Sequence, residues 1–590
     1  MMSIKNLYNG WKGMACCTVV AAMTLTACSD WDDHFDANTS VLESQHSSLW
    51  QNIEQAGNLS QFAALLKKTG FDENLSASQT FTVWAPVDDS FDYATLSNLS
   101  NERITREFIE NHIARNNYPA SGLVNEDIYM LNEKKMHFAG TSAYDIQGIS
   151  LLNPNMSSSS NGTLHTIKGR LPFLSSIYEA LGTSDYELDS ISSYIFSFDE
   201  KKIDEKKSKK GPVTNGEQTY LDTVYYEHND LFELYDSYIN REDSSYTMVA
   251  PTNKAWDKAM ATIKSYFKYV PQFEYYEDLI EKKLQTVKLE DATGMQDSVS
   301  KMAMIASLLY NNNIYDNKKL KNLQNGASLS CDSLVSTSSV KMYSEDATEL
   351  FANTTRVENS NGAMWVTTDD TLHMRTWTIW NPEIRLEAEY TNSWTDPGLV
   401  YGSPEIKTVN KQNEEVQGSI SNNRYIEVVP ASKSVNPEIY FSLPNVRSTE
   451  YSVYVVFVPA NINSKNYAEP LKKNHLEFTL GYADEKGKIT EDVFKDIDPA
   501  VDSLQNVPGM TAKVDTTYVG DVTFKTSYVG MSSSSQTYAP YLRIRSRVSS
   551  KQTVTYDRTL RIDCIILRPK DLDNYIKAHP DYKYDRGLYN

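Results

Sequence analysis

Cysteine is scarce, and the few present cannot staple a fold. The 590-residue chain has five. Cys16, Cys17 and Cys28 lie at the N-terminus, which leaves Cys331 and Cys564 far apart in sequence. A disulfide framework is excluded, so each domain must rest on its own apolar core. Both remaining thiols are expected as buried, inert side chains. Long apolar runs are equally scarce. After residue 27 none approaches the ~20 residues that a membrane-spanning helix needs. Basic charge is in deficit, with 57 Lys and Arg against 77 Asp and Glu, a formal net charge of −20. Nucleic-acid binding rests on neutralising phosphates with Lys and Arg, so that partner class is excluded. A basic patch for anionic lipid is excluded with it. Catalytic signatures are missing as well. There is no His-Glu-x-x-His, no Gly-x-Ser-x-Gly, no phosphate-cradling glycine loop and no Cys-x-x-Cys. The chain is read as non-enzymatic, with no catalytic residue, no metal ligand set and no cofactor assigned.

What is present is a folded composition, 40% hydrophobic and 23% charged, at a length that suits several domains. Lys5 and Lys12 precede an apolar run from Met14 to Ala27, too short to span a bilayer and suited to a signal-peptide core. It ends Leu25-Thr26-Ala27-Cys28. This ending resembles the lipobox of bacterial lipoproteins, which implies cleavage after Ala27 and a lipid on Cys28. The acidic cluster Asp30, Asp32 and Asp33 resembles the signal that sends Bacteroidetes lipoproteins to the exterior. The expectation is a signal peptide over 1–27, a lipidated tether over 28–47, and a lipid-anchored protein of the outer membrane facing the cell exterior.

From Leu49 the pattern turns helical. Leu49, Trp50 and Ile53, then Leu59, Phe62, Leu65 and Leu66, recur at three- and four-residue spacing, and Gly70 stops the run. Thr80 to Pro86 reads as a short strand ended by proline, with Asp88 or Asp89 capping the helix that carries Phe91. The signature returns at Tyr246-Thr247-Met248-Val249-Ala250-Pro251, followed by a polar turn and Trp256. Asn161-Gly162 and Asn361-Gly362 each feed a strand, a hairpin signal. The two copies resemble the fasciclin-like adhesion domain. In the first, Thr80 to Phe91, Asn111-His112-Ile113, and Asn161 through Ile167 carry the likeness; the second matches more loosely and is longer between Pro251 and Gly362. The resemblance implies fasciclin-like domains over 48–182 and 188–378. It also implies structural roles for the first copy's histidines, with His112 and His165 expected to hydrogen-bond in the interior. The Lys-rich run Lys201 to Lys210 interleaves acids and reads as a solvated loop.

From about Glu383 short strands rich in Val, Ile, Tyr and Phe take over, separated by turn residues. They argue a β-sandwich over 383–570, with residues 571–590 as an appended tail. The closing strand Leu560 to Leu567 resembles the last strand of carbohydrate-binding-module-like sandwiches. Tyrosine is abundant, 38 residues against 19 Phe, and offers apolar area with a polar tip. Trp394, Tyr401, Tyr528 and Tyr538 lie among Asn, Asp, Ser and Gly, where sandwich loops carry binding sites. They are the candidate ligand platform.

The fold class read from the sequence is therefore α+β: two fasciclin-like domains followed by an all-β jelly-roll-type sandwich. This layout resembles accessory lipoproteins of SusC/SusD-type uptake complexes. The expected partners are the outer membrane through the lipid, SusC/SusD-like transporter proteins, and a glycan or peptide polymer. The alternative is a cell-surface adhesin binding host, matrix or neighbouring cells. A surface-polymer hydrolase is the third reading, and it lacks a visible acid–base pair.

Overall fold

The computed structural model describes residues 47–583, except 207, 215, 224, 391–399, 413–419, 464–470, 500–513 and 532–539. The chain mixes helices and strands in three packed units. In the first, Ser48 and Gln51 form a capping box on helix Leu49–Gln55, and Gly70, at φ 74°, ends helix Ser60–Thr69. Behind these helices lies a seven-stranded sheet. Its order is Ile113–Arg115, Phe81–Pro86, Gly162–Ile167, Ile149–Ser159, Tyr144–Ile146, Lys135–Gly140, Val124–Tyr129. The expected cap at Asp88 is corrected. Asp88 accepts the amides of Ser60 and Gln61 (3.0 and 2.8 Å), so it caps a helix earlier in the chain, and Asp92 caps helix Tyr93–Ser97.

The second unit repeats this pairing. Strand Phe81–Pro86 runs parallel to Gly162–Ile167, with Phe81 opposite Gly162; strand Tyr246–Ala250 runs parallel to Gly362–Thr367, with Tyr246 opposite Gly362. Gly162 and Gly362 have φ of 145° and 142°, and a Cβ at either would overlap the carbonyl of the residue opposite. Asn161 accepts the Leu49 amide (2.8 Å), and Asn361 accepts the Ile177 amide (2.9 Å). Asn253 accepts the Ser190 amide (2.8 Å) as Asp88 accepts that of Ser60. Helix Ile177–Leu181 thus opens the second unit, and its apolar side chains join the second core. Boundaries of 48–182 and 188–378 are corrected accordingly, with the junction near residue 175. The two ends of the Lys-rich run, expected as a loop, lie on antiparallel strands: Asp199–Ile203 pairs with Tyr225–Asn229 and Lys209–Thr214 with Glu217–Asp222. The extra length after Pro251 includes a hairpin of Gln272–Asp278 and Lys283–Lys288.

The third unit encloses one core between two sheets. One sheet runs Glu405–Asn410, Arg424–Val429, Leu560–Pro569, Glu450–Phe457, Asp515–Thr523, with Ile384–Glu387 also paired to Leu560–Pro569. The other runs Val400–Tyr401, Glu438–Ser442, Tyr541–Ser546, Leu476–Ala483, Ile489–Ile497. Alternation sends Val453, Val455 and Phe457 into the shared core, while Tyr454 and Val456 join Cys564 and Ile566 on the opposite face. Residues 570–578 form a helix, which takes up the first part of the appended tail expected over 571–590. Its buried Asp573 accepts the hydroxyls of Tyr454 (2.7 Å) and Ser452 (3.1 Å).

The units are joined by buried polar seams. Lys134 is 4% exposed and donates from the first unit to Glu179 (2.8 Å), Glu242 (2.6 Å) and Ser360 (3.0 Å) of the second. Between the second and third units, Arg447 donates to the Trp380 carbonyl (2.7 Å) and Tyr269 to that of Val529 (2.7 Å).

Candidate functional site

Cys28, Asp30, Asp32, Asp33, Trp394 and Tyr538 lie outside the described residues. Tyr401 sits on strand Val400–Tyr401, in register with Glu438. Tyr528 is a correction. It is 6% exposed, its hydroxyl accepts the Ala483 amide (2.8 Å), and its ring lies 6.0 Å from that of Phe273. The polar neighbours in its sequence are backbone anchors of a packed turn, and a ring so placed presents no face to a ligand. The proposed four-ring platform is therefore not assembled by the described residues.

The two named histidines are interior. His112 Nδ1–H donates to the Phe108 carbonyl (2.7 Å), and Nε2 accepts the Leu171 amide (2.9 Å). His165 accepts the Asn155 amide at Nδ1 (2.9 Å) and donates from Nε2 to the Tyr118 carbonyl (2.9 Å). Both rings are fixed neutral by these partners, and burial lowers each to about 4. Among the described residues, two groups bring candidate metal-ligand atoms within 4.8 Å of one another: His228, Asp230 and Glu233, and Glu387, Asp563 and Cys564. In the first, His228 already bonds Asp230 (2.8 Å), and Lys202 stands 3.5 Å from the same carboxylate. In the second, burial pushes Asp563 up to about 8 and raises the Cys564 thiol, while Arg385 pairs with Glu387 (2.9 Å). Each group thus carries its own internal partners.

Sequence reasoning missed the outer face of the five-stranded sheet. Strand alternation turns Ile439, Phe441, Leu542, Ile544, Phe478 and Leu480 inward. It turns Glu438, Tyr440, Tyr541, Arg543, Glu477 and Thr479 outward. The register brings Arg543 between Tyr440 and Thr479, and Tyr541 beside Gly481. A Cβ at Gly481 would overlap the Tyr541 ring, so the glycine lets that ring lie down over the sheet. The Tyr440 and Tyr541 rings are 5.6 Å apart and tilted by 53°. Tyr440 donates to Glu438 (2.6 Å), Tyr541 to Glu491, and Arg543 to Thr479 (2.6 Å). Arg545 and Arg547 stand 3.4 and 3.7 Å from Glu438 and Glu477. Burial, added to the neighbouring carboxylates, raises both tyrosine hydroxyls, so they remain donors. Arg543 Nε has no hydrogen-bond partner among the described residues. Tyr276 and Leu279 of the hairpin Gln272–Lys288 pack against the two rings. The result is a floor of aromatic rings, ion-paired carboxylates and arginine donors, the chemistry that holds a hydroxyl-bearing ligand.

The fasciclin domain family matches residues 57–171, the span that holds the buried histidines and the Asn161-Gly162 turn. This chain carries a fasciclin domain. No curated protein matches the sequence. Among solved structures, the fasciclin domain pair of the insect cell adhesion molecule fasciclin I aligns at 13% identity and a TM-score of 0.19, over 55% of this chain and 99% of that one. A Paenibacillus xanthan lyase aligns at 12% identity and 0.19, over 32% of this chain; the chain covers only 13% of the lyase. The module TmCBM61, solved with β-1,4-galactotriose, aligns at 9% and 0.16, over 31% of this chain and 98% of the module.

Proposed function

We propose that the chain is a non-enzymatic binding lipoprotein of the outer membrane surface and an accessory component of a SusC/SusD-type uptake complex. In this reading Cys28 carries the lipid, and Asp30, Asp32 and Asp33 direct export. A second fasciclin-like domain follows the first, and a jelly-roll-type sandwich takes up a glycan or other hydroxyl-rich polymer. The observation that supports binding is the floor of Tyr440, Tyr541, Arg543, Glu438 and Glu477. Its carboxylates are tied to arginines and serve as fixed acceptors. Among the described residues no helix is long and apolar enough to cross a membrane, which is compatible with a lipid as the anchor.

Gentle-detergent capture of the native protein, followed by mass spectrometry, is the test. A transporter barrel among the partners is expected. Capture of matrix or host-cell components without one would favour the adhesin reading, which the fasciclin domain keeps in play. The anchor has its own test. Cys28→Ser is expected to stop lipoprotein processing, and a variant that is cleaved and membrane-held like the wild type would remove the anchor.

A further inference from the structure

We propose that the hairpin Gln272–Lys288 is a strap that gates the sheet floor, an inference that rests on the binding reading above. The two ends of the hairpin are held very differently. At its root, Phe273 is 2% exposed and Val270 9%, and both belong to the third unit's core. The Glu274 amide donates to the Gly487 carbonyl (2.6 Å), and the Leu289 amide closes back on Pro271 (2.7 Å). The tip is held by the packing of Tyr276 and Leu279 on the two floor rings. It is held too by a solvent-facing ion pair from Lys282 to Glu491 (3.1 Å, side chains 48% and 25% exposed). Ile280 and Leu284 of the tip stay exposed, at 36% and 48%. A rooted base with a lightly held tip is the construction of a hinged cover.

What lies beneath is poorly served by that cover. Glu438 and Glu477 are 7% and 5% exposed, and Arg543 keeps an unused Nε donor. The two carboxylates are tied to arginines, so the unmet polar demand beside the covered rings is the buried Arg543 N–H. A chain of sugar hydroxyls would meet that demand and offer ring faces to Tyr440 and Tyr541. Ligand and strap tip therefore compete for one surface. A protein whose binding-competent state is a minority binds with its affinity reduced by that fraction.

The test uses the full chain and three soluble probes, arabinoxylan, galactomannan and mixed-linkage β-glucan, in affinity gels and calorimetry. A Tyr276→Ala/Leu279→Ala variant opens the tip and keeps Phe273. It is expected to bind at least one probe about tenfold more tightly than the wild type, as for a cover closed about nine-tenths of the time. Arg543→Gln should weaken binding in both backgrounds. In the wild type, saturating probe should speed amide hydrogen exchange over residues 275–284, a readout that needs no variant to fold. Equal affinities and unchanged exchange would overturn the strap and leave the binding site standing. No binding by wild type or variant to any of the three would overturn the floor as a glycan site, and the gate with it.

Discussion

Asn161 takes one backbone proton, from Leu49, and gives two, to the carbonyls of Leu75 (2.9 Å) and Ala77 (2.7 Å). Asn361 does the same with Ile177, Ile239 (2.6 Å) and Arg241 (3.0 Å). Only a primary amide supplies an acceptor oxygen and two N–H donors from one side chain. Asn161→Ala is expected to cost the first unit about 2–3 kcal/mol, because buried backbone groups lose their partners; urea denaturation checks it. A second residue-scale expectation concerns pH. His112 and His165 sit at about 4 when folded, below their ordinary 6.5. The unfolded chain takes up their protons first, so their contribution is complete above pH 6.5 and lost as pH falls towards 4. Each shift corresponds to about 3 kcal/mol. Asp563, raised to about 8 from 3.8, has the opposite sign. Its contribution is present at low pH and lost as pH rises through 8. Denaturation from pH 4 to 8, followed by cleavage products from each unit, should show opposed slopes. His112→Gln with His165→Gln should flatten the first, and Asp563→Asn the second.

At the scale of elements, local pattern was a good guide to strands and a poor one to partners. The alternation visible in Tyr451 to Phe457 has its counterpart in the sandwich, where Tyr451, Val453, Val455 and Phe457 all enter the shared core. The Asn-Gly turns read as hairpins, and strand Ile149–Ser159 does turn back into Gly162–Ile167. That Asn161 also holds a helix 112 residues away has no local signature. The Ser176 and Glu179 capping box is visible in sequence, yet a cap says where a helix starts and not whose core it joins. The expectation for Tyr528 failed for a related reason. Gly and Ser around Tyr528 signal a turn, and the ring's burial is decided by Phe273, which arrives from another unit. The floor was illegible because Glu438, Tyr440, Arg543 and Glu477 come from three strands whose register only the sheet fixes. Phe273→Ala offers a test of this hairpin. It is expected to cost about 3–5 kcal/mol, and the loss should fall on the third unit, whose core the ring fills.

At the scale of the whole molecule, the question is whether the units move as one. The seam between the first two is centred on a buried ammonium. Lys134 sits 2.8 Å from Glu179 and 2.6 Å from Glu242, with Phe173 5.4 Å beneath it and Arg106 also bonded to Glu179. Removing one partner of such a pair leaves buried carboxylates without compensation, a loss of about 3–5 kcal/mol. The first unit has its own cores, built from its own helices and strands. The expected failure of Lys134→Ala is therefore separation of units and not unfolding. Solution scattering should show a larger radius of gyration and added flexibility. Protease should cut between residues 168 and 175, while melting of the first unit's own core shifts little. Lys134→Arg keeps the charge and should hold the units together. A scattering curve for Lys134→Ala that matches the wild type would place the seam's strength elsewhere. The remaining contacts would then have to carry it, and the first unit would sit rigidly against the second without the lysine.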